Sequence, residues 1–118
     1  MSKLASFNKL ASFVVLLGLG ALPAVAAAAT FKDVPVVDVN CSRKVAANPD
    51  AHTRSCALAC AKSGYGILAN NKFLKFDANG NREILQELKA SNESDHLRVN
   101  VTGDVQGNTL KVASVKLQ

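Results

Sequence analysis

Residues 96–118 read HLRVNVTGDVQGNTLKVASVKLQ, and their apolar side chains recur with a period of two. Leu97, Val99 and Val101 fall on one parity, while His96, Arg98, Asn100 and Thr102 fall on the other. Strict alternation of this kind is the pattern of a strand with one face against a core and one in solvent. The run Gln106-Gly107-Asn108 turns the chain. The next strand starts in the same manner, with Leu110 and Val112 on one parity, but Ala113, Val115 and Leu117 continue on the other. An added residue on one strand of an antiparallel pair shifts the phase in this way, so the sequence predicts a β-bulge, the device that lets small sheets curl.

Upstream, residues 65–70 and 72–77 are two β-prone runs meeting at Asn70-Asn71, which predicts a hairpin. Asp77-Ala78-Asn79-Gly80 reads as a turn and Asn81 as the cap of a helix to about Ala90, with Ile84, Leu85 and Leu88 on one face. Asp77, Asn79 and Asn81 have the alternate spacing of a calcium loop. Gly80 and Leu88 stand at the wrong places for one, so the segment reads as a turn and a cap. Residues 31–40, FKDVPVVDVN, form a valine-rich first strand, with Pro35 at an edge or bulge. Asn48-Pro49 opens a helix through Lys62, stopped by Gly64. With that first helix set aside as an insertion, the order is that of a five-stranded OB-like barrel whose second helix precedes its last two strands. An open α+β sheet carries the same elements.

The amino terminus differs in composition. Residues 1–9 carry Lys3 and Lys9 and no acid, residues 10–22 are apolar, and Ala-rich residues follow Pro23. These are the three parts of a secretory signal, with cleavage after Ala26 or Ala29. The expected organisation is a signal peptide over residues 1–29 and one domain over residues 30–118, periplasmic or secreted, with no stable membrane anchor after cleavage. The full chain carries a net charge of +5. Loss of the two leader lysines leaves +3, spread evenly along the sequence, which gives no reason to expect a nucleic-acid partner.

All three cysteines and one of the two histidines lie within 20 residues: Cys41, His52, Cys56 and Cys60. On a continuous helix, His52, Cys56 and Cys60 would form one stripe, since steps of four drift by only ~40°. A loop could bring Cys41 beside them. Three thiolates and an imidazole suit Zn, and the thiolates alone suit Cu. In this arrangement His52→Ala is expected to affect metal binding alone. The competing reading is a structural disulfide of Cys41 with Cys56 or Cys60, as an oxidising compartment favours. No nucleophile elbow, zinc-protease motif or phosphate loop is present, and a non-enzymatic binding or accessory protein is expected, its partner a metal ion or another envelope protein.

The run His52-Thr53-Arg54-Ser55-Cys56-Ala57-Leu58-Ala59-Cys60, followed by Ser63-Gly64-Tyr65-Gly66, resembles a group of small exported bacterial proteins of unassigned function. Their His…Cys-Ala…Cys segment precedes a Gly-rich bend and an OB-like β ending. The resemblance implies the barrel and an envelope location, and it implies no activity.

Overall fold

A computed structural model describes residues 28–118; the proposed leader lies outside the described residues save for its last two positions. Five strands, β1 (Ala29–Asp38), β2 (Tyr65–Ala69), β3 (Lys72–Phe76), β4 (Arg98–Gln106) and β5 (Thr109–Leu117), close into a barrel in the order β1-β2-β3-β5-β4. Helix α1 (Arg54–Ala59) lies in the β1–β2 connection, and α2 (Ala78–Ala90) lies between β3 and β4. All neighbours are antiparallel except β3 and β5, which run parallel through Lys75↔Thr109 and Phe76↔Leu110. This is the OB-like α+β barrel, and closure leaves no sheet edge exposed.

The phase slip in the last strand is a bulge. Thr102 pairs with Ser114 but Gly103 pairs with Val112, so Ala113 is the extra residue. Leu110 and Val112 before it and Val115 after it all face the core. The two hairpin turns follow their chemistry as well. Asn70 and Asn71 both have positive φ, at 52° and 61°, as the two central residues of a type I′ turn require. Gly107 has φ 62° and occupies the first central position between Gln106 and Thr109, where a type II′ turn wants glycine.

A second irregularity lies in β1, where the register against β4 shifts between Phe31 and Val34. Pro35 follows it. The Val36 N–H points to β4, donating to Leu97 O at 2.9 Å. The nitrogen of Pro35 therefore faces the other side, where pairing with β2 starts only at Val36. A residue with no N–H costs no ladder bond there.

Inside the barrel Val36, Ile67, Leu74, Phe76, Val99, Val101, Leu110 and Val112 are at most 5 % exposed. Ile84 and Leu88, one turn apart on α2, are fully buried in the same cluster. The helix starts earlier than the sequence suggests. Its cap is Asp77, whose carboxylate accepts the Gly80 N–H, not Asn81. Asn81 lies inside α2, and its Oδ1 accepts the Tyr65 N–H at 2.8 Å. Asn79 is likewise spent on Glu83 and the Val112 carbonyl.

His96 lies ahead of β4 rather than in it, exposed and with φ 52°. Its strand neighbour Arg98 clamps the β1–β2 connection instead. The guanidinium donates through Nε and Nη2 to the two carboxylate oxygens of Asp50, at 3.0 and 2.9 Å. That fork holds the Asp50 carboxyl below the usual carboxylate range.

Candidate metal centre

β1 ends at Asp38 because that residue caps a 3-10 turn. Its backbone is still extended, and Oδ2 accepts the Cys41 N–H at 3.0 Å across the turn Val39–Cys41. A short acidic side chain is a preferred cap, because it satisfies an N–H that the turn leaves without a partner. The other oxygen, Oδ1, lies 2.6 Å from His52 Nε2. Asp38 is fully buried and His52 is 5 % exposed. One carboxylate therefore ties the end of the first strand to the segment leading into α1.

The segment from Asn48 to Lys62 is not a single helix. Pro49–Ala51 is a 3-10 turn, and the chain is extended at His52 (ψ 127°) and Thr53 (ψ 155°). The hydroxyl of Thr53 accepts the Cys56 N–H at 3.2 Å and starts α1 afresh. The helix is over by Cys60, its C-cap, at φ −103°. The predicted stripe of His52, Cys56 and Cys60 therefore does not form. His52 turns inward to Asp38, whereas Cys56 is exposed to solvent on the helix surface.

Of the four side chains proposed as ligands, the structure unites Cys41 and His52 and adds Asp38. One ligand atom from each of Asp38, Cys41 and His52 lies within 4.8 Å of the others. Cys60 is the next neighbour. Its sulfur accepts a long hydrogen bond from Asn40 Nδ2 at 3.6 Å and lies near enough to the Cys41 thiol to help raise it. Burial, then the Asp38 carboxylate, then the Cys60 sulfur push the Cys41 thiol up. All three cysteines are free thiols. Tyr65 is buried in the core, with its hydroxyl donating to Ala57 O at 2.8 Å. Burial and the negative surroundings of Asp38 and Cys60 push the phenol up to about 12.

Sequence reasoning missed Asp38, which looked like an ordinary polar residue ending a strand. The available signal was Asp38-Val39-Asn40-Cys41, an acid three residues ahead of the N–H that it caps.

The donor set fits a metal ion chemically. A carboxylate oxygen, an imidazole nitrogen and a thiolate are all zinc ligands, at about 2.0–2.2 Å for O and N and 2.3 Å for S. Tetrahedral angles would then put the donors roughly 3.3–3.7 Å apart, so the Asp38–His52 contact would open by somewhat under ~1 Å. Among the described residues, no other group of three such side chains converges, and no helix is long and apolar enough to cross a membrane. Compared with protein-family models, curated proteins and solved structures, the chain matches none.

Proposed function

We propose that this protein is an exported, non-enzymatic binding protein that holds a metal ion through Asp38, Cys41 and His52, with the Cys60 sulfur as fourth donor. The convergence of a buried carboxylate, an imidazole and a thiol within 4.8 Å carries the reading. The donors favour Zn(II) over Cu(I). Two of the four are hard or borderline groups, whereas Cu(I) selects thiolates and thioethers. The raised Cys41 thiol loses its proton when the ion binds, so uptake releases acid. Export rests on the three-part amino terminus and on the likeness of residues 52–66 to small exported OB-like proteins. Cleavage after Ala26 suits the barrel better than cleavage after Ala29, because β1 already starts at Ala29, paired with Gly103.

The test is a zinc titration of the mature protein against a competing chelator, with Co(II) as a spectroscopic stand-in. One ion per chain with thiolate-to-cobalt charge transfer is expected, and an intact mass beginning at Ala27. Cys41→Ser should weaken zinc by at least ~10-fold, about 1.4 kcal/mol, while Cys56→Ser should change nothing. Loss of binding in Cys56→Ser, or none lost in Cys41→Ser, removes this site.

A second reading rests on the same pair of sulfurs. No two sulfurs are bonded, but Cys60 is the sulfur that bears on the Cys41 thiol, so an oxidising compartment that drew these two together would make the chain a stapled interaction domain with Cys56 left over. Alkylation of protein taken directly from the exported fraction separates the two. One reactive thiol even after chelation means the staple, and one that becomes three on chelation means the metal.

A further inference from the structure

We propose that the groove between the β1–β2 connection and β3 is a second binding site, built for an acidic oligosaccharide. Its open space amounts to about 1010 Å³, enough for a few sugar rings by comparison with ordinary ligand sites of ~300–1,000 Å³. Arg43 and Lys44 reach it from the β1–β2 connection, and Lys72 and Lys75 from β3. No Asp or Glu lines it. Among the described residues the ion pairs are made by His52, His96 and Arg98, and by none of these four cations. Charge that looks evenly spread along the sequence is thus gathered by the fold into one uncancelled patch, which attracts anions.

Phe73 supplies the apolar part. Its ring fills the space that a side chain on Gly66 would take, since a Cβ there would meet Phe73 Cζ at 2.5 Å. The ring is half-buried and stands apart from the core cluster. An aromatic face held against a glycine on an outer sheet surface is a platform for the C–H side of a sugar ring. Around it Asn40, Asn71 and Asn108 offer both donors and acceptors, as a hydroxyl-rich ligand requires. A single strand of nucleic acid is gripped by stacking successive bases on several aromatics. Phe73 is the one aromatic here, so the groove suits a charged sugar chain better than a nucleic acid.

This site does not depend on the metal reading, although Asn40 borders both. Calorimetry of the mature protein with hexagalacturonate, its methyl ester and a six-residue oligodeoxythymidylate tests it. The acid should bind, with the ester at least ~10-fold weaker and affinity falling as salt screens the charges. Lys72→Glu with Lys75→Glu should abolish binding while the circular dichroism spectrum stays unchanged, and Cys56→Ser, exposed and outside both sites, should bind as wild type. Four results overturn the proposal: no binding of the acid at ~1 mM, an affinity of only ~4 kcal/mol; equal binding of the ester; tighter binding of the oligodeoxythymidylate; or unaltered affinity in the charge-reversed variant.

Discussion

Replacing Asp38 with alanine is expected to destabilise the protein by about 3–5 kcal/mol, because it leaves the buried His52 ring and the Cys41 N–H without their acceptor, at ~1–3 kcal/mol each. The side chain is fully buried and makes two bonds of different kinds. Without it the Cys41 N–H loses its cap, and His52 is left buried with no acceptor at Nε2. For a domain of this size the melting temperature should fall by more than ~12 °C, as read by circular dichroism. Asp38→Asn keeps an oxygen for the Cys41 N–H and should lose less, yet it should bind zinc more weakly because the ligand is no longer anionic. His52→Ala leaves the buried carboxylate with the Cys41 N–H as partner for Oδ2 and nothing for Oδ1. It should therefore destabilise the fold as well as the site, contrary to the expectation from sequence that only metal binding would change. A melting point for Asp38→Ala within 2 °C of wild type would show that the clamp does not hold β1 to the α1 segment.

The second large effect belongs to Gly103. A Cβ at this position would lie 2.3 Å from the Lys111 carbonyl oxygen and 3.1 Å from Val112 Cα. Both atoms are backbone of β5, so no rotamer change relieves the contact. Gly103 also stands where the register shifts, opposite Val112 and beside the Ala113 bulge. Gly103→Ala therefore has to separate β4 from β5 at the point where the barrel bends. Overpacking of this sort costs ~1–3 kcal/mol, and the upper end is expected because the neighbour cannot yield. Gly107→Ala is the control. Its position meets nothing within 4 Å, and only the left-handed φ of 62° opposes a side chain, at ~1–2 kcal/mol. Urea midpoints decide between them, and a Gly103→Ala midpoint at or above that of Gly107→Ala is inconsistent with close approach of the two strands.

Where backbone and side-chain pattern express the same constraint, the fold is legible in the sequence. The parity switch after Val112 foretells the Ala113 bulge because every inward side chain must still reach the core. Asn70-Asn71 foretells its turn because asparagine tolerates positive φ. Helix boundaries were less legible. Asn79 and Gly80 are poor helix formers, so the first turn of α2 resembles a loop, yet Asp77 caps it and Gly80 lets Val112 approach. The apparent helix across residues 48–62 fails for the opposite reason. Its composition permits a helix, but Thr53 offers a better start, and burial of His52 against Asp38 requires extended chain.

The candidate site was half legible. Cys41, His52 and Cys60 stand out by residue type. Asp38 does not, because its part depends on a contact across 14 positions of chain with no local periodicity. Cys56 shares every sequence credential of its neighbours and yet faces water. Only the break at His52 and Thr53 decides which cysteine turns inward.

The parallel seam between β3 and β5 joins just two residue pairs, the shortest run of pairing around the wall. It is reinforced by Lys75 N–H to Asn108 O and Asp77 N–H to Leu110 O, at 2.9 and 3.1 Å. A cylinder with one short weld opens there first, and the amides of Lys75 and Asp77 should exchange with deuterium sooner than those along the longer β4–β5 hairpin. Lys75 and Thr109, the first pair of that weld, also border the basic groove. An occupant lying across them would act as a rivet, slowing exchange at the seam in proportion to how tightly it is held.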